Sequence, residues 1–136
     1  MNMLLKVLAL IISLHFSCST TSYSQDGSDT RIEKVSKLHF ECRGEKRIIH
    51  VPKGYAKPKY HWYEEGYYLV LSYPDNSYIS ILCGGNAVLD LPRKRKKDLH
   101  YRLESIQGCC PIIYGGVTSE NLLVFDQAFD ALNSAK

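Results

Sequence analysis

The sequence predicts an α+β domain: a mainly antiparallel sheet of five to seven strands with one C-terminal amphipathic helix packed on it. Three observations carry that expectation. Short segments from Leu38 onward are dense in β-branched and aromatic residues and are separated by turn residues. Leu122, Phe125, Phe129 and Leu132 recur at the spacing of one helix face. The chain has 136 residues, 45% of them hydrophobic and 23% charged. That is room for one domain and its core, and it excludes a repeat array, a multi-domain enzyme and wholesale disorder.

The elements follow in chain order. Leu38–Cys42 alternates apolar and polar residues as a half-buried strand does, Arg43-Gly44-Glu45 is a turn, and Arg47–Val51 is a second strand ended by Pro52. Upstream, Ile32, Val35 and Leu38 suit either a short helix or an extended lead-in. Tyr67–Tyr73 is a further strand opened by Gly66. Pro74-Asp75-Asn76-Ser77 then turns the chain, because proline presets the first turn angle and the Asp and Asn side chains bond their own backbone. Tyr78–Cys83 returns and Gly84-Gly85 breaks it. Ala87–Leu91, Leu99–Ile106 and Ile112–Tyr114 are weaker strand candidates. Gly84-Gly85 and Gly115-Gly116 both read as turns at strand ends. Thr118 or Ser119 is the expected helix N-cap, with Glu120 placed where the helix dipole favours an anion. Asp126, Gln127, Asp130 and Asn133 fall on the solvent side of that helix.

The N-terminus carries an address. Lys6 precedes an apolar run from Val7 to Phe16, too short to span a bilayer, and residues 1–17 read as an export signal. Ser17-Cys18-Ser19 resembles the lipobox of bacterial lipoproteins, in which the Cys is acylated and becomes the new N-terminus, although His15 stands where an aliphatic residue is usual. Residues 18–30 then form the anchor Cys18 and a polar, flexible tether, and residues 31–136 a single globular domain. The rival is ordinary cleavage after Ser24, giving a soluble secreted protein. No acidic residue occurs from Ser19 to Ser24, so the acidic signal that directs many Bacteroidetes-type lipoproteins, which this segment resembles, to the cell surface is not evident, and the resemblance implies a periplasm-facing position.

With Cys18 assigned to processing, Cys42, Cys83, Cys109 and Cys110 remain, an even count that reads as two disulfides in an exported domain. Joining Cys109 to Cys110 closes a small, reducible ring, so the expected pattern links each of that pair to a different strand, one to Cys42 and one to Cys83. No metal site is expected, since adjacent cysteines lack the usual ligand spacing, and no cofactor motif is present.

Two stretches could carry function. Tyr55–Tyr73 holds six of the ten tyrosines and the only tryptophan. Within it, Tyr60, His61, Trp62, Tyr63, Glu64 and Glu65 could form an aromatic binding face for a sugar or a peptide. His61 with Glu64 or Glu65 could serve as base and acid of a small hydrolase. The alternate aromatics could equally fill the core, with Glu64-Glu65-Gly66 as a turn. Arg93, Lys94, Arg95, Lys96 and Lys97 are five consecutive cations in an expected exposed loop, suited to an acidic glycan or anionic headgroups. They account for the positive balance: the net charge is +3, and the rest of the chain is mildly acidic. Nucleic acid is not an expected partner of an exported chain, and no catalytic residue is assigned, because no nucleophile elbow, H-E-x-x-H helix or phosphate loop occurs.

The signal end at Ser17-Cys18, the Tyr67–Cys83 hairpin with its Pro-Asp-Asn-Ser turn, and the closing segment with Phe125-Asp126 and Phe129-Asp130 together resemble small Bacteroidetes-type lipoproteins and secreted proteins of unknown function. The resemblance carries no known active site and transfers no catalytic residue. The expected function is a non-enzymatic envelope lipoprotein that acts as a binding module through the aromatic stretch, the basic loop or both, with the membrane as one partner and an envelope protein or acidic glycan as the other. The alternatives are a secreted inhibitor or immunity-type protein, and the small hydrolase.

Overall fold

In a computed structural model, residues 34–85 and 88–134 are described. The segments expected to be the signal (1–17) and the Cys18 anchor with its tether (18–30) lie outside them. Among the described residues seven strands and one helix run in the order β1 Val35–Cys42, β2 Glu45–Pro52, β3 Lys59–Tyr63, β4 Gly66–Ser72, β5 Tyr78–Gly84, β6 Leu99–Ile106, β7 Cys110–Thr118 and α1 Leu122–Asp130. The fold is α+β, with every strand pairing antiparallel.

The strands form two sheets: β1 and β2 make a hairpin of their own, and the others make a five-stranded sheet in the order β3-β4-β5-β7-β6. The first hairpin turns through Arg43 and Gly44, both at positive φ (54° and 76°), a two-residue turn whose twist suits antiparallel strands. Its alternate residues Leu38, Phe40, Cys42, Ile49 and Val51 face inward. They meet Tyr67, Leu69, Leu71, Ile79, Ile81, Ile112 and Tyr114 of the larger sheet, and Val124, Phe125 and Phe129 of α1, in one core. No backbone ladder joins the two sheets, so packing and α1, which lies against β2 and β7, hold them together. Side-chain ties supplement this: Tyr73 donates its hydroxyl hydrogen to the Pro52 carbonyl at 2.8 Å, and Arg47 Nη2 donates to the Gly108 carbonyl in the β6–β7 turn at 2.7 Å.

One strand is not among those expected, and three expectations need correction. Lys59–Tyr63 is a strand in its own right, and its aromatic content alone does not announce that. The described residues of the Ala87–Leu91 segment form no strand, as that part of the chain is a long crossing from β5 to β6. Gly115-Gly116 is not a turn. It lies inside β7, opposite a register shift between His100 and Arg102. Gly116 there adopts φ +67°, and a Cβ at Gly115 would strike the Tyr78 ring, so glycine is what lets β7 bulge against β6 while lying close to β5. The helix also starts later than expected, because β7 runs on to Thr118 and leaves Ser119 and Glu120 in the connecting turn. Asn121 is the N-cap, and its side chain makes no cap bond. Instead Asn121 Nδ2 donates to Asp75 Oδ2 at 2.8 Å, while Asp75 Oδ1 accepts from the Ser77 amide at 3.0 Å. The Pro74–Ser77 turn is thereby pinned to the start of the helix.

The core is rich in tyrosine, which sets its alkaline limit. Burial raises the hydroxyl pKa of Tyr67, Tyr73 and Tyr114 above the ordinary value, helped at Tyr67 by a bond to Cys83 and at Tyr114 by one to Asp126. A group whose folded pKa lies above its unfolded value contributes stability that is complete below the unfolded pKa of about 10 and is lost above it. Stability should therefore fall steeply above pH ~10. Absorbance at 295 nm and far-UV circular dichroism should show these three tyrosines ionising together with unfolding, and not as independent groups near pH 10.

Candidate functional site: an aromatic sheet edge over a cleft

Among the described residues β3 is the outermost strand of the larger sheet and pairs only with β4. The hairpin turns at Glu64 and Glu65, and Gly66 then lies so close to the Cys83 carbonyl of β5 that no side chain fits there. The register places Trp62 opposite Tyr67 and His61 opposite Tyr68. Strand alternation therefore puts Tyr60 and Trp62 on the core-facing side with Tyr67, and His61 and Tyr63 on the other.

Tyr60 and Trp62 lie beyond the area that the β1–β2 hairpin covers. Trp62 is 75% exposed and Tyr60 46%, whereas Tyr67 beneath them is buried. The three rings touch. Tyr60 and Trp62 stack with centroids 6.3 Å apart and planes 20° apart, and Trp62 and Tyr60 tilt over Tyr67 at 5.0 and 5.4 Å. Beside them a cleft of about 450 Å³ opens between the turn of the first hairpin (Glu41, Arg43, Gly44) and the larger sheet (Trp62, Glu65, Tyr67, Cys83). The arrangement is an aromatic platform held by ring contacts, rimmed by two carboxylates and a guanidinium. The reading in which alternate aromatics fill the core thus holds for Tyr67 and Tyr73 and fails for Tyr60 and Trp62.

The acid–base pairing is not assembled. Glu65 lines the cleft, while His61 lies on the opposite face of β3 and is exposed, as is Glu64 in the turn. Tyr63 serves structure, donating its hydroxyl hydrogen to the Gly84 carbonyl at 2.6 Å. Arg93, Lys94, Arg95, Lys96 and Lys97 are exposed in the β5–β6 connection. That connection ends at Leu99, which pairs with Thr118 at the end of the sheet away from Gly84 and the cleft. The basic run and the aromatic edge are therefore separate surfaces.

The cysteines are arranged differently from the expected pattern. Cys109 and Cys110 are bonded to each other, and Cys42 and Cys83 are buried thiols. Cys110 points into the core at the start of β7, while Cys109 sits in the β6–β7 turn and lines a small cavity with Arg47 and Gly108.

One polar cluster had no signal in the sequence. Arg102 on β6 bonds Glu104 at 3.0 Å, Asp126 at 3.2 Å and Asp130 at 2.8 Å, and lies 5.9 Å from the Phe129 ring centroid. Tyr114 donates to the same Asp126 at 2.7 Å. Bonds to the three carboxylates hold the guanidinium pKa above its ordinary value even though its partial burial pulls the other way. The cluster clamps α1 onto β6 and β7. Replacing Arg102 with Met leaves three mutually repelling carboxylates and should cost about 1–2 kcal/mol in urea denaturation, with part of the loss recovered in 1 M salt.

Comparisons of the chain with protein-family models, with curated proteins and with solved structures return no match. Among the described residues no helix is long and apolar enough to cross a membrane.

Proposed function

We propose that this chain is an exported, lipid-anchored, non-enzymatic binding module of the cell envelope, and that a protein partner docks on it at the edge strand β3. The observation that carries the reading is Trp62: a large aromatic ring left three-quarters exposed, yet braced by Tyr60 and Tyr67, on a strand whose outer side pairs with no other strand among the described residues. Exposed aromatic residues on a prepared surface are the usual anchors of protein interfaces. An open strand edge offers a partner backbone hydrogen bonds, and side chains on one face of that strand select it. A glycan bound through the basic run would use a different end of the molecule. The export and anchor parts rest on the residue 1–17 signal and on Cys18.

Site-specific photo-crosslinking in intact cells tests the docking surface. A crosslinking residue at Tyr60 should give a discrete protein adduct that disappears in a Trp62→Ala background, and the same residue at Lys96 should give none. An adduct from position 96 alone would move the function to the basic loop and overturn the reading. Intact mass separates anchored from secreted: an acylated N-terminal Cys18 supports the anchor, and an unmodified start at Gln25 points instead to a soluble inhibitor or immunity-type protein.

A further inference from the structure

Cys83, which lines the cleft, belongs to a buried cluster of three sulfurs. The Sγ atoms of Cys42, Cys83 and Cys110 all lie within 4.8 Å of one another, and all three residues are buried. They come from three places far apart in the chain: the end of β1, the end of β5 and the start of β7. Cys110 is already bonded to Cys109, so the unbonded members of the trio are Cys42 and Cys83.

We infer that Cys42 and Cys83 are disulfide partners in the mature protein, so that a second bond, beside Cys109–Cys110, ties the β1–β2 hairpin to the five-stranded sheet. Three observations support this. The separation of the two sulfurs is one that side-chain rotamer changes close. The two residues belong to sheets that share no backbone ladder, which is where a covalent tie constrains the unfolded chain and steadies the folded one. And Cys42 adjoins Arg43 while Cys83 adjoins Gly84, residues on opposite walls of the cleft, so the bond fixes the spacing of those walls.

The chemistry balances with a disulfide oxidant of the export compartment. The two thiols give up two protons and two electrons, one S–S bond forms, and the oxidant R–S–S–R leaves as two R–SH. Burial and the neighbouring Cys42 thiol push Cys83 up to about 12, so in the folded protein it is a protonated, poor nucleophile. Closure accordingly belongs to folding, while the site is still open, and the finished bond is structural.

The inference draws on export only for its oxidising compartment. The test avoids that dependence by refolding the purified mature chain, with Ser in place of Cys18, in oxidised glutathione. Tryptic cleavage without reduction should give Leu38–Arg43 linked to Tyr60–Arg93, with Leu103–Lys136 unlinked and two hydrogens lighter than its reduced form. Linkage of Leu103–Lys136 to either of the other peptides overturns the pairing. So does alkylation of both Cys42 and Cys83 in the denatured, oxidised protein, and so does zinc retained through dialysis by four titratable thiols. A second readout uses a variant: Cys42→Ala should expose one alkylatable thiol on denaturation, at Cys83, where the wild-type domain exposes none. The Cys42→Ala/Cys83→Ala pair should melt roughly 10 °C or more below the oxidised wild-type domain. An unchanged melting temperature contradicts a stabilising tie.

Discussion

Replacing Trp62 with alanine should weaken partner binding at least about thirtyfold, the equivalent of about 2 kcal/mol, and leave the fold standing. The two halves of that expectation come from the same geometry. Trp62 is 75% exposed, so truncating it opens no cavity, and surface truncations of this kind stay within about 0.5 kcal/mol of wild type. Its contacts are to Tyr60, itself 46% exposed, and to one side of Tyr67, which keeps its place between β4 and the core. What the truncation removes is an apolar surface that a partner would cover, prepositioned by two neighbours so that little entropy is lost on docking. Trp62→Phe, which keeps a ring on the same strand face, should recover part of the affinity. Thermal melts and titration with the crosslinked partner measure the two halves separately.

The opposite behaviour is expected at Phe125. Its side chain is fully buried and meets Tyr73 at 5.1 Å and Tyr114 at 5.5 Å, both edge-on. Phe125 is the point at which α1 is keyed to Tyr73, just past the end of β4, and to Tyr114 in the middle of β7. Phe125→Ala removes both aromatic contacts and leaves a void between elements that ladders of hydrogen bonds hold rigid, so little collapse can fill it. The cost should be about 3–5 kcal/mol, a large share of the stability of a domain this size. Urea denaturation at neutral pH measures it. Leu123→Ala, two residues away but 70% exposed, should change stability by no more than about 0.5 kcal/mol. If the two variants were equally destabilised, α1 would not pack as described.

What could be read from the sequence was whatever local chemistry decides. The β1–β2 and β4–β5 hairpins were legible because Arg43-Gly44 and Pro74–Ser77 are turns by residue type, flanked by alternating strands. The buried face of α1 was legible in part. Phe125 and Phe129 are buried as their spacing predicts, but Val124 and Ala128 complete the face, while Leu122 and Leu132 are only half-buried. The helix start was misplaced because a cap residue is recognised only relative to where the preceding strand stops, and β7 stops at Thr118 for reasons of pairing with Leu99. Gly115-Gly116 read as a turn because two glycines permit one, while the deciding fact, the ring of Tyr78 against Gly115, comes from a neighbouring strand.

The site was legible as a composition and not as a geometry. Tyr60, Trp62 and Glu65 were among the candidate residues, but only the register of β3 on β4 separates Trp62 from His61 by faces and leaves the tryptophan outside the core. Glu41 and Arg43 on the other wall had no local signal, since a second sheet brings them there. The Arg102 cluster and the meeting of Cys42, Cys83 and Cys110 share that origin: each depends on strands that pair or pack far from their neighbours in sequence. The non-sequential placement of β7 between β5 and β6 is the clearest case, because nothing in the β5–β6 connection announces that the chain will leave the growing edge and return inside it.

The central claim is that the partner is held at the aromatic edge of β3 and not at the basic loop. Calorimetric titration of the crosslinked partner into three proteins tests it most directly: wild type, Trp62→Ala, and a variant with Arg93, Lys94, Arg95, Lys96 and Lys97 all replaced by Gln. The account predicts that Trp62→Ala loses about thirtyfold or more in affinity and that the loop variant stays within about threefold of wild type at physiological salt. Full affinity in Trp62→Ala together with loss in the loop variant would contradict it.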